Sequence, residues 1–174
     1  MLEALCAPEV LKLTKIVIFG NSSSGKSTLA KNLCRSEKLA HFDLDTVAWK
    51  PVSPPERRSL AESRMEIDGF VASNSNWVIE GCYSDLIEFV LSEAAELVYM
   101  DLPIEACIAN AKRRPWESHK YESKKAQDEN LPMLIEWISQ YESRNDTFSR
   151  SAHQGLLERF SGKKTVFTGN EVCT

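Results

Sequence analysis

The residues best suited to chemistry lie in one short run. Gly20 to Ser27 read GNSSSGKS, a match to G-x-x-x-x-G-K-[ST], a spacing that holds phosphate. Gly20 and Gly25 permit the angles that turn backbone N–H groups inward. Asn21, Ser22, Ser23 and Ser24 complete the loop, the serines being small enough for the backbone to close on phosphate oxygens. In this pattern Lys26 is the cation for the β and γ phosphates and the Ser27 hydroxyl is a ligand for Mg²⁺. Thr28 follows in the first turn of a helix whose positive end faces the anion.

Binding phosphate is not yet transferring it, and transfer needs carboxylates and further cations. Asp43 and Asp45 stand two apart on a predicted strand, so both point to one side, while Leu44 points away. That pairing predicts one carboxylate near Mg²⁺ through water and the other on a hydroxyl of the phosphate acceptor. The competing reading is a solvated strand end that caps the next helix. Glu80 closes the apolar run WVIE and is predicted to order the water shell of Mg²⁺ or to act as a base. Gly81 after it leaves room for a substrate at the backbone, and Tyr83 places an aromatic ring at the same turn. Asp101 ends YMD in the same way, although Leu102 and Pro103 suggest a structural turn. Trp49 is a candidate to stack on a ring-shaped substrate, or simply to pack.

For cations the sequence offers Arg113 and Arg114 where a helix meets a polar stretch, a natural hinge for a closing segment. Arg144, in YESRND, is placed to clamp an anionic substrate or a γ-phosphate, or to pair with Asp146 or Glu142. Lys120 reads as solvated beside His119. His41 and His153 have no partner at catalytic spacing and read as structural.

These residues must be positioned by strands and helices in alternation. KIVIF (15–19) is a short β-branched and aromatic strand ending on the loop, and STLAKNLCR (27–35) is the helix that starts from it. LAHFDL (39–44) is a second strand, 77–80 a third, ELVYMD (96–101) a fourth and KTVFT (164–168) the last. Between them, 56–73 is predicted helical with Leu60, Met65, Ile67 and Phe70 on its buried face. Segments 86–95, 105–114, 133–141 and 151–160 are also predicted helical. The polar stretch from Pro115 to about Asn130 has little to bury and is predicted to be a mobile lid. Strand–helix alternation implies parallel crossovers and a three-layer α/β domain.

One such domain suits 174 residues. The charge is −4, from 21 basic and 25 acidic residues, and the densest basic cluster is Lys112 to Arg114; neither predicts nucleic-acid binding. No apolar run reaches the roughly 18 residues of a membrane span. Five cysteines (6, 34, 82, 107 and 173) stand singly, without metal-ligand spacing, and the first residues lack a basic start and apolar centre. Both features predict a reduced, cytoplasmic protein; separately, a monomer or homodimer is expected.

With Lys26, Asp43, Asp45, Arg114-Pro115 and Arg144 together, the chain resembles the small P-loop kinases of the shikimate kinase and adenylate kinase group, over about residues 15–170. The resemblance implies a P-loop NTPase fold with five parallel strands ordered 2-3-1-4-5, ATP and Mg²⁺ as cofactors, and a small hydroxylated metabolite as acceptor. It implies Asp43 toward Mg²⁺, Asp45 and Arg144 toward the acceptor, and Arg114 toward ATP phosphates. The turn Glu80-Gly81-Cys82-Tyr83 departs from the triple glycine of shikimate kinases. It looks more like the acid-glycine-aromatic turn of adenylate kinases, which keeps a nucleoside or nucleotide acceptor open. WVIEGCYS with DLDTVAW also resembles the topology-modulation group of P-loop kinases. The substrate arginine implied after D-x-D has three candidates, Arg57, Arg58 and Arg64. A module that binds nucleotide without any acceptor is the remaining alternative.

Overall fold

The computed structural model describes residues 13–52 and 54–170. Five strands, β1 (Lys15–Gly20), β2 (Ala40–Asp43), β3 (Trp77–Gly81), β4 (Glu96–Met100) and β5 (Lys163–Phe167), form one sheet in the order β2-β3-β1-β4-β5. Every neighbouring pair is parallel. Helices α1 (Lys26–Glu37), α2 (Asp45–Ala48), α3 (Leu60–Ser73), α4 (Ser84–Ile87), α5 (Ile104–Arg113), α6 (Lys124–Ser139) and α7 (Arg150–Arg159) lie between the strands. A 3₁₀ turn at Glu88–Val90 extends α4. This is the three-layer α/β fold of P-loop NTPases.

Strand periodicity divides the core between the two faces of the sheet. Val17 and Phe19 of β1 join Trp77, Ile79, Leu97, Tyr99 and Leu156 on one face. Ile16 and Ile18 point the other way, toward Leu29, Val78, Val98, Cys107 and Ile138. The chain direction of the crossovers reverses at β1, which pairs with β3 on one side and β4 on the other. Clefts open at the carboxyl ends of strands around such a point.

Several boundaries depart from the sequence expectation, each for a physical reason. The second strand stops at Asp43, and Asp45 opens α2 instead of extending the strand, because its N–H is captured by the Asp43 carboxylate at 2.9 Å. The helix expected from residue 56 begins at Leu60, behind a capping box in which Ser59 and Glu62 satisfy each other's backbone N–H groups. Half of its expected apolar face is buried: Ile67 is fully buried and Phe70 packs against the core, whereas Leu60 is 47% and Met65 70% exposed and Ser63 is buried beside Ile67. The 86–95 stretch contains only α4's last turns and the 3₁₀ turn.

The polar stretch is also more ordered than expected, since α6 already begins at Lys124. Ser123 caps it through Ala126 N–H at 3.1 Å, and Lys124 with Asp128 and Lys125 with Glu129 pair along its exposed face. Gln127, only 7% exposed, turns inward. It donates to the Pro115 carbonyl at 3.1 Å and accepts from Glu117 N–H at 2.8 Å. The segment that can cover a ligand is therefore the short connection 114–123, pinned by α6.

Candidate functional site

The phosphate loop joins β1 to α1. Gly20 sits at φ 145°, and a Cβ there would lie 2.4 Å from the Met100 carbonyl oxygen, so only glycine passes between β1 and β4. Ser23 holds a left-handed φ of 60°, a strained angle for a residue with a side chain and one that keeps the loop curled. Asn21 ties the loop to α6 by donating to the Ile138 carbonyl at 3.1 Å and accepting from Ser22 N–H at 2.8 Å. Lys26 is 8% exposed and donates to the Asn21 carbonyl at 2.7 Å, so its ammonium is folded back over the loop. The buried hydroxyls of Ser23 and Ser24 have no hydrogen-bond partner.

The loop forms one side of a cavity of about 1020 Å³. Ser22, Ser23, Gly25, Lys26, Ser27 and Thr28 face it from the loop and α1, Asp43 and Asp45 from the end of β2, and Glu80, Gly81 and Cys82 from the end of β3. Arg113, Arg114, Glu117, His119 and Lys120 close it from the end of α5 and the covering segment. A smaller recess of about 260 Å³ between Ser27, Lys31, His41, Asp43 and Glu80 opens beside it.

The carboxylates differ in electrostatics. Asp43 is raised to about 6, first by burial and then by the charges of Asp45 and Glu80. Burial pushes Asp45 the same way, but the Lys120 ammonium, 2.9 Å from Oδ2, and the Tyr83 hydroxyl, which donates to Oδ1 at 2.5 Å, outweigh it and hold Asp45 below the usual range. Asp45 is thus an ionised carboxylate with both oxygens occupied. Tyr83 also accepts from the Trp49 indole N–H at 2.7 Å. Glu80 is 2% exposed, and its Oε1 has no hydrogen bond, although His41 Nε2 lies 3.5 Å away.

Of the residues expected from sequence, Ser22, Ser23, Gly25, Lys26, Ser27, Thr28, Asp43, Asp45, Glu80, Gly81 and Arg114 come together around the large cavity, whereas Gly20, Asn21 and Ser24 form the back of the loop and do not line it. Gly81 has a packing reason as well, since a Cβ would meet the Leu44 Cβ at 2.9 Å. Trp49, Tyr83 and Arg144 do not line it. Trp49 and Tyr83 stand behind Asp45, and Arg144 lies 3.7 Å over the Trp137 ring and 3.0 Å from Asp146. Asp101 is held by Arg150 at 2.8 and 3.0 Å, a structural pair away from the cavity. Three participants had no clear sequence signal. Lys120, expected to be solvated, reaches Asp45 across 75 residues of chain; His41 faces Glu80; and Asn110 donates to the Ser23 carbonyl at 3.0 Å.

No protein-family model matches the sequence, and no curated protein matches it. Many solved structures are similar in fold, two kinases among them. One is an unliganded sugar kinase from Janibacter sp. HTCC2649, at 12% identity over 89% of this chain and 85% of that one, with a TM-score of 0.48. The other is the shikimate kinase from Bacteroides thetaiotaomicron, at 17% identity over 91% and 88%, with a TM-score of 0.49. At these values both are likenesses of fold, so the chemistry has to be argued from the residues.

One buried network underlies the β3 turn. His153, fully buried, donates from Nε2 to the Cys82 carbonyl at 3.0 Å, so its Nδ1 accepts from the Tyr141 hydroxyl at 2.7 Å. Burial lowers His153 to about 4 against an ordinary 6.5. The unfolded chain therefore binds an extra proton between those values, and stability falls as pH drops through that window, by about 3 kcal/mol in total. We expect His153→Phe to lose about 1–3 kcal/mol at pH 7 by stranding the Cys82 carbonyl and leaving the Tyr141 hydroxyl with Tyr99 as its remaining partner at 3.0 Å. The gap between wild type and variant should shrink in denaturation at pH 4.5. Asp43, whose raised value acts in the opposite sense, is common to both proteins and cancels. A gap that widens on acidification rules out a neutral, buried His153.

Proposed function

We propose that this protein is a phosphotransferase that moves the γ-phosphoryl group of ATP, with Mg²⁺, to a hydroxyl of a small metabolite, in the manner of the shikimate kinase group. The observation that carries this reading is that Asp45, an ionised carboxylate, faces the same cavity as Lys26 and the phosphate loop. With Asp43 and Glu80 available for Mg²⁺, a module that only binds nucleotide leaves this third carboxylate without a task.

The residues fit the cofactors. The unpartnered hydroxyl of Ser23, which faces the cavity, and the curled loop suit phosphate oxygens. Among the described residues no group of three His, Cys, Asp or Glu is placed to hold a metal alone. Mg²⁺ that arrives with ATP needs only one or two carboxylates besides phosphate and water. The Ser27 hydroxyl, Asp43 and the unpartnered Glu80 oxygen are the groups that would hold it. Bound Mg²⁺ and ATP supply the electrophilic phosphoryl group and neutralise part of its charge.

Each remaining role belongs to a side chain of this protein. Lys26 leaves the Asn21 carbonyl for the β and γ phosphates. Arg114 and Arg113, at the end of α5, meet charge on the phosphate chain. Asp45 accepts the acceptor's hydroxyl proton once Lys120 has yielded Oδ2, while Tyr83 fixes the carboxylate through Oδ1. The free thiols Cys34, Cys82 and Cys107 support a cytoplasmic setting. The test is release of ADP from Mg·ATP on adding acceptors from a metabolite extract. Tight ATP binding with no acceptor-dependent ADP would leave the nucleotide-binding module standing instead.

A further inference from the structure

The acceptor end of the cavity is unusual in its charges. It is built from Asp43, Asp45, Glu80, Gly81 and Cys82, with Lys120 reaching over from the covering segment. A site for a carboxylate or phosphate ester is ordinarily built around an arginine with free donors, whose planar fork matches such a group. Here each arginine on that side is ion-paired with an acidic side chain outside the cavity, although Arg57 Nε keeps no hydrogen bond.

Arg57 is 3.0 Å from Asp85 and stacks over Trp49, Tyr83 and Phe148 at 5.0 to 5.6 Å. Arg58, just before α3, pairs with Glu66 at 3.0 Å, and Arg64 of α3 with Asp68 at 3.3 Å while lying over the Phe89 ring. Arg144 is held between Asp146 and the Trp137 ring. None of the four lines the cavity. The cations that do, apart from Lys120, come from the loop and α1 (Lys26 and Lys31) and from the end of α5 (Arg113 and Arg114), where the nucleotide phosphates would lie.

We infer that the acceptor carries no carboxylate or phosphate: it is an uncharged hydroxyl compound, or one bearing an amine. This rests on the phosphotransferase reading above and narrows it. An anion on Lys120 would take the cation from Asp45 and leave that ionised carboxylate facing a like charge with no guanidinium to offset the repulsion, Asp43 and Glu80 being the pair that would hold Mg²⁺. A neutral hydroxyl instead donates to Asp45 Oδ2 in place of Lys120 and adds no charge. An amine is drawn by the same carboxylates that repel an anion.

The test uses matched probes with the full chain: ribose and ribose 5-phosphate, adenosine and AMP, glucose and glucuronate. Binding is read by ligand-detected NMR in the presence of Mg²⁺ and a non-hydrolysable ATP analogue, and turnover by ADP release from Mg·ATP. The expected result is that within a pair the neutral member binds at least 30-fold more tightly, about 2 kcal/mol at 1.4 kcal/mol per tenfold. An anionic member that binds as well as or better than its neutral partner overturns the inference, and so does a set in which no probe binds. Neutral probes that bind without any ADP release uphold the class of ligand and count against phosphoryl transfer, so the two readings fail separately.

Discussion

Lys26→Ala should reduce ATP turnover by about 10²- to 10³-fold, the scale expected when one pre-placed donor to developing charge is removed. Lys26 is nearly buried and is held 2.7 Å from the Asn21 carbonyl. It therefore waits beside the loop, already desolvated, and needs only a side-chain rotation to reach the phosphates. Alanine removes that cation and leaves the curled backbone, with Gly20 and Ser23 at their unusual angles, in place. ATP should bind more weakly, while the denaturation midpoint should stay close to wild type, because the interaction lost is a single one to a carbonyl. Unaltered turnover would show that the loop holds something other than the transferred phosphates. Lys26→Arg is the useful companion: it keeps the charge, but its larger planar head does not fit the same recess, so most of the loss should persist.

The fold was largely legible in the sequence, because a buried parallel strand ending in a glycine-rich loop leaves few alternatives. KIVIF, WVIE and ELVYM correspond to β1, β3 and β4, and their alternating faces build both halves of the core. What escaped was set by side-chain capture. Asp43 drew Asp45 out of the strand, so the expected shared face is absent. Both carboxylates still reach one cavity, because α2 starts at that bend. The polar stretch was misjudged because its order rests on one inward residue, Gln127, which no hydrophobic pattern marks. Arg144 takes the second of its two readings: it pairs with Asp146 and lies over the face of Trp137, and does not line the cavity as a clamp would. Lys120 reads in sequence as a phosphate contact or, more simply, as solvated; its pairing with Asp45 escaped because that partner is 75 residues away.

That long-range pair bears most directly on the acceptor carboxylate. Asp45→Asn should lower kcat for acceptor phosphorylation by about 10²- to 10⁴-fold, the range attributed to a positioned general base. An amide cannot take the hydroxyl proton, yet it has nearly the same shape and can still accept the Tyr83 hydrogen bond. Asp45 lies at the end of β2 and not on the loop, so the dissociation constant for ATP, measured by calorimetry, should change by less than about threefold, or roughly 0.7 kcal/mol. Stability should change by no more than about 1 kcal/mol, because the lost ion pair to Lys120 is partly exposed on both sides. Lys120→Met separates the two functions of that pair. If Lys120 only occupies Asp45 until the acceptor arrives, this variant should lower KM for the acceptor and leave kcat in place. A large fall in kcat would mean that the ammonium follows the phosphoryl group during transfer. A loss of ATP affinity in Asp45→Asn comparable to its loss of kcat would move Asp45 from the acceptor to the metal, and the proton would then need another base, for which Glu80 is the nearest unpartnered carboxylate.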